Sequence, residues 1–179
     1  MISKNEILEQ ATQTNLHPHV VEKDYVLGWL LAGINQHPEL KLAWGFKGGT
    51  CLKKCYFETY RFSEDLDFTL RDPSHIDENF LRTAFADIGE WIYDNSGIEM
   101  PADRMLFEIH RNSRGSESAQ GRIYYRGPVT PAGKLATLYS TLSSFRQRLL
   151  TSGPKSIASN AAQRQDSRAM RKRSEERAE

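Results

Sequence analysis

The chain alternates between two spacings of apolar residues, one near 3.6 and one of 2, and these divide it into helices and strands. Ser3 with Glu6 forms a capping-box pattern, and Ile7, Leu8 and Ala11 continue it, which predicts a helix from about Lys4 to Thr14. His17-Pro18 breaks it. From His19 to Asn35 the positions Val20, Val21, Tyr25, Leu27, Leu31 and Ile34 predict a second, longer helix, with Glu22, Lys23 and Asp24 as a charged turn on its surface. Leu42 to Phe46 reads as a strand entering a tight turn at Gly48-Gly49-Thr50, with a short helix from Leu52 to Tyr56.

Leu66-Asp67-Phe68-Thr69-Leu70 alternates strictly and ends at Asp72-Pro73, so it reads as a strand. Ser74, with Asp77 three residues on, is placed to cap a helix whose apolar stripe is Phe80, Leu81, Ala84, Phe85, Ile88, Trp91 and Ile92, ending near Asn95-Ser96-Gly97. Two strand-like runs, 104–110 and 121–125, flank a polar loop and read as a hairpin. Residues 134–145 add one more strand. The segment from Ser152 to Glu179 has almost no large apolar residues and carries seven Lys or Arg against four acids, so it reads as a flexible basic tail. The organisation expected is one domain over 1–150 and a tail over 151–179.

Composition changes this picture little. A chain of 179 residues with 39% hydrophobic and 26% charged residues can bury one proper core. A net charge of +1 excludes a global basic field, so any nucleic-acid contact must be local. The longest apolar run, Val26 to Ile34, is far short of a membrane span, and the N-terminus lacks the pattern of an export signal; a cytoplasmic location with no membrane partner is expected. Cys51 and Cys55 have no Cys or His partner at ligand spacing and read as reduced thiols rather than a zinc site.

The chemistry concentrates at Asp65 and Asp67. On a strand, residues i and i+2 share a face at roughly 7 Å, so the two carboxylates converge while Leu66 and Phe68 face the other way. Their repulsion is relieved by a proton or by a cation between them, and Mg2+, held by one or two carboxylates with substrate phosphates, suits such a pair. Upstream, Gly48, Gly49 and Thr50 allow close approach of a triphosphate to a helix N-terminus, with the Thr50 hydroxyl as a further donor. Lys47, Lys53 and Lys54 flank this turn, Lys53 being the one assigned to nucleotide binding, and Arg61 and Ser63 are placed to steer phosphate or position Asp65. The turn lacks the lysine of a Walker loop.

Phe46-Lys47-Gly48-Gly49-Thr50-x-Leu52 followed by Arg61-Phe62-Ser63-Glu64-Asp65-Leu66-Asp67-Phe68 closely resembles the AbiEii/AbiGii toxin family of nucleotidyltransferases. Glu22-Lys23-Asp24-Tyr25 and the run from Gly121 to Pro128 extend the similarity over roughly residues 15 to 135. The resemblance implies an α+β, polymerase-β-like nucleotidyltransferase fold, a mixed or antiparallel sheet with N-terminal helices. It also implies Mg2+ on Asp65 and Asp67, an NTP on the glycine turn, transfer of NMP to tRNA or another RNA, and a cognate antitoxin protein.

Enzymes of this kind carry a third carboxylate on a neighbouring strand, yet no Asp or Glu occurs between Glu117 and Asp166. Glu108 is a substitute only if its side chain turns toward the pair; period-2 alternation favours a solvent-facing role. The chain leaves the family pattern near Leu138 and reads as a truncated or frameshifted member, which predicts uncovered apolar surface on the sheet. The alternative function is a catalytically impaired remnant that binds nucleotide or antitoxin.

Overall fold

A computed structural model describes residues 2–57, 64–113 and 115–144. The tail predicted over 151–179, together with Arg61 and Ser63, lies outside these residues. Helix α1 (Lys4–Thr14) starts on the Ser3/Glu6 capping box and ends at Asn15 in the left-handed region. Helix α2 (Pro18–Gln36) uses Pro18 in its first turn, where no amide proton is needed. Strand β1 (Trp44–Lys47) runs directly into α3 (Gly48–Cys55), so Gly48-Gly49-Thr50 is the first turn of that helix rather than a loop before it. Strand β2 (Asp65–Leu70) follows, and then α4 (Glu78–Ser96).

The α4 cap is Asp77, whose carboxylate accepts from the Phe80 amide, and not Ser74 as the sequence suggested. Ser74 lies in a separate 3-10 turn, Pro73–His75, and is itself held by Asp72, whose carboxyl these bonds keep below its ordinary range. Gly97 closes α4 in the left-handed region. Strands β3 (Leu106–Arg111), β4 (Glu117–Tyr125) and β5 (Ala136–Ser144) complete the described chain.

The five strands form one mixed sheet in the order β1-β2-β5-β4-β3. Only the β2–β5 pair is parallel. One face is apolar: Leu66, Phe68 and Leu70 of β2, Leu138 and Leu142 of β5, and Ala119, Ile123 and Tyr125 of β4 are buried with Val26, Leu27 and Leu30 of α2 and Phe85, Ile88 and Ile92 of α4. Each fully buried large side chain contributes roughly 1.5–3 kcal/mol. Trp44 joins this core and donates its indole N–H to Nδ1 of the buried His75 at 3.1 Å. Among the described residues, no helix is long and apolar enough to cross a membrane.

The opposite face is not the apolar surface that loss of a covering half would leave. Strand β5 presents Thr137, Tyr139, Thr141 and Ser143 there, and β4 presents Ser118, Gln120, Arg122 and Tyr124. The residues beyond the family pattern thus keep the alternation that places Leu138 and Leu142 inward and hydroxyl groups outward.

Candidate active site at the open face of the sheet

Asp65 and Asp67 stand on this polar face, at the start of β2, with Leu66 fully buried between them on the other side. Register fixes their neighbours: Lys47 lies opposite Asp67 on β1, and β5 sets Tyr139 beside Asp65 and Thr141 beside Asp67. Burial pushes the Asp65 carboxyl up from its ordinary range; Lys23 opposes this shift, while Asp67 and Glu64 add to it.

The glycine turn and the carboxylates are in contact. Gly48 has φ +81°, a conformation suited to glycine, and a Cβ there would meet the carboxylate of Asp67 and come within 3.2 Å of its Cβ. Thr50 is buried and donates its hydroxyl proton to the carbonyl of Asp65 at 2.6 Å. That proton is therefore not directed at a phosphate. Thr50 instead holds the first turn of α3 against the strand that carries the acids.

The flanking lysines divide by element. Lys53 and Lys54 project from α3 toward α2, where Lys53 donates to Asp24 Oδ1 at 2.9 Å and Lys54 to Oδ2 at 3.0 Å. Lys53, assigned to nucleotide from its proximity in sequence, is thus engaged with a carboxylate of α2. Lys47, on the strand, lies on the carboxylate face and donates to Ser143 Oγ on β5 at 2.7 Å.

The charged stretch of α2 is largely a set of interior contacts and not a solvated turn. Glu22 is fully buried; its carboxylate accepts from the amides of Val129 and Thr130 at 2.6 and 2.9 Å and from the Thr130 hydroxyl at 3.0 Å. Gly127 permits this approach, since a Cβ there would lie 2.6 Å from Glu22 Oε1. Lys23 pairs with Glu64, the residue before β2, and Asp24 takes the two lysines of α3. Three consecutive residues therefore tie α2 to three segments around the acids: the loop before β5, the start of β2, and α3. Sequence reading missed these roles, although the joint presence of the Glu22 and Gly127 blocks in the resemblance was a signal that the two meet.

Glu108 shares the row of Asp67 on the open face, but Thr141 and Gln120 stand between them. Three strand spacings of about 4.8 Å put the two acids about 14 Å apart at the backbone, too far for one ion. A cleft of about 190 Å³ lined by His19, Lys23, Glu64, Tyr125 and Thr137 opens beside the start of β2. A concavity of about 480 Å³ along Tyr93, Glu99 and Met100 shares no residue with the carboxylate face.

A mixed sheet with a glycine-started helix packed against paired strand carboxylates is the architecture of the nucleotidyltransferase class. The family model described as nucleotidyl transferase AbiEii toxin, type IV TA system, matches residues 29–136, more than half of the chain. The chain belongs to this AbiEii nucleotidyltransferase toxin family. No curated protein matches it.

Proposed function

We propose that the protein is a magnesium-dependent nucleotidyltransferase toxin that transfers NMP from an NTP to an RNA acceptor, with tRNA the acceptor to test first, and that a cognate antitoxin protein restrains it. The contact between Gly48 and Asp67 carries this reading, because it joins a close-approach turn and a carboxylate pair into one site. Gly48 and Gly49 would admit the triphosphate, with Thr50 holding the turn in place. Asp65 and Asp67, two residues apart on one face of β2, supply hard oxygen ligands of the kind Mg2+ takes together with phosphates. A bond would form from the acceptor hydroxyl oxygen to the α-phosphorus as the bond to the bridging oxygen of pyrophosphate breaks, the hydroxyl proton passing to solvent water, while Asp65 and Asp67 would hold the Mg2+ that offsets phosphate charge. Lys53 and Ser63 belong to the same nucleotide-binding proposal, Lys53 after exchange of its Asp24 contact.

One observation favours a second reading, an impaired nucleotide- or antitoxin-binding remnant: β5 sets Tyr139 and Thr141, not a carboxylate, beside the pair. Incubation with Mg2+, each labelled NTP and total tRNA, beside an Asp65→Ala/Asp67→Ala variant, separates the two. Label transfer by the parent alone supports the enzyme, whereas nucleotide binding without transfer supports the remnant.

A further inference from the structure

The charges of the open face imply a metal stoichiometry. A clamp of two ions about 3.5–4 Å apart needs more anionic ligands than one pair of carboxylates. Each neighbouring candidate among the described residues is accounted for. The register partners on β5 are neutral hydroxyls, Tyr139 and Thr141; Glu64 is held by Lys23; Glu108 is three strands away. Among the described residues, no three His, Cys, Asp or Glu side chains are grouped to hold a metal. On the same face stands Lys47, opposite Asp67 and reaching across to β5, where Ser143 Oγ accepts its proton and in turn donates to the Phe68 carbonyl at 3.3 Å. An ammonium there is a compact positive charge with protons left for phosphate oxygens, since it has three and one is used on Ser143.

We infer that this face takes a single divalent ion together with the nucleotide, and that the Lys47 ammonium supplies the second fixed positive charge toward the triphosphate. The inference rests on the nucleotide-binding reading of the Asp65/Asp67 face. The absent ligand has a defined position, Thr141, beside Asp67.

Counting bound Mn2+ by electron paramagnetic resonance tests this, using the full 179-residue chain with the non-hydrolysable α,β-methylene analogues of the four NTPs in turn. One Mn2+ per protein–nucleotide complex is expected. Two ions, or the coupled spectrum of an ion pair, overturn the inference and leave the nucleotidyltransferase reading standing; no ion and no nucleotide overturn both. Thr141→Asp is expected to admit a second ion, and a folded Thr141→Asp that still holds one overturns the assignment of that position. Should that variant fail to fold, Lys47→Gln gives an independent measure: about ten-fold weaker analogue binding at an unchanged count of one ion. Ser143→Ala, which frees the ammonium without removing it, should lose less. Equal affinity of Lys47→Gln and parent overturns the role of Lys47.

Discussion

The Asp67 carboxylate packs against the Cα of Gly48, leaving no room there for a side chain. Gly48→Ala therefore carries a double cost, about 1–2 kcal/mol for a left-handed alanine and the displacement of Asp67 in addition. The variant should melt several degrees lower and lose nucleotide affinity, whereas Gly45→Ala, at an exposed position of β1, should do neither to the same extent. Thermal unfolding and calorimetric titration with Mg2+ and NTP measure both.

Glu22→Ala should destabilise the domain by about 2 kcal/mol, because it removes the acceptor of the half-buried amides of Val129 and Thr130. Urea unfolding reads this directly. The tyrosine hydroxyl of Tyr125, pushed well above its ordinary range by burial and by Glu22, should stay protonated throughout the alkaline range in which the fold survives.

Ser140 is the inward residue of β5 between Leu138 and Leu142, and its buried hydroxyl has no hydrogen-bond partner among the described residues. Ser140→Ala should be neutral or stabilising by about 1 kcal/mol, since it removes an unsatisfied polar group. A loss of stability in urea unfolding would contradict this.

Asp65 is exposed, yet partial desolvation at its strand position raises its carboxyl, so its ionised form costs the fold a small, solvent-screened amount of stability. The sign follows from linkage: below the unfolded-state value both states hold the proton and nothing is lost, while the penalty grows as pH rises through the folded-state value and is full above it. Asp65→Asn should thus melt slightly higher than the parent at neutral pH, with the gain vanishing in acid. The same substitution should abolish Mg2+-dependent nucleotide binding, a stability gain at the expense of the site. Melting curves across pH with and without Mg2+ check both halves.

Local signals were readable where one residue decides the geometry: the Ser3/Glu6 box starts α1 and Gly97 closes α4 where the sequence indicates. The alternation that put Asp65 and Asp67 on one face is also a local property. What sequence could not supply was partnership across distance. Lys47 and Lys53 both flank the glycine turn, and only the change from strand to helix between them sends one to the carboxylate face and the other to Asp24. Ser74 and Asp77 both suit a cap, and the Asp72 side chain, by claiming Ser74, leaves Asp77 the helix. Glu22 looked like surface because the loop that buries it lies more than 100 residues onward.

Strand β5 comes last among the described elements but lies third across the sheet, between β2 and β4. During synthesis, Asp65 and Asp67 emerge from the ribosome long before residues 136–144, so β2 must wait with one edge unpaired. Closing that gap requires a contact between segments some 75 residues apart, as from Ser143 to Phe68, and such long-range pairing is slow to form. The nascent chain therefore holds an incomplete carboxylate face until residues 136–144 have been made and β5 can slot between β2 and β4.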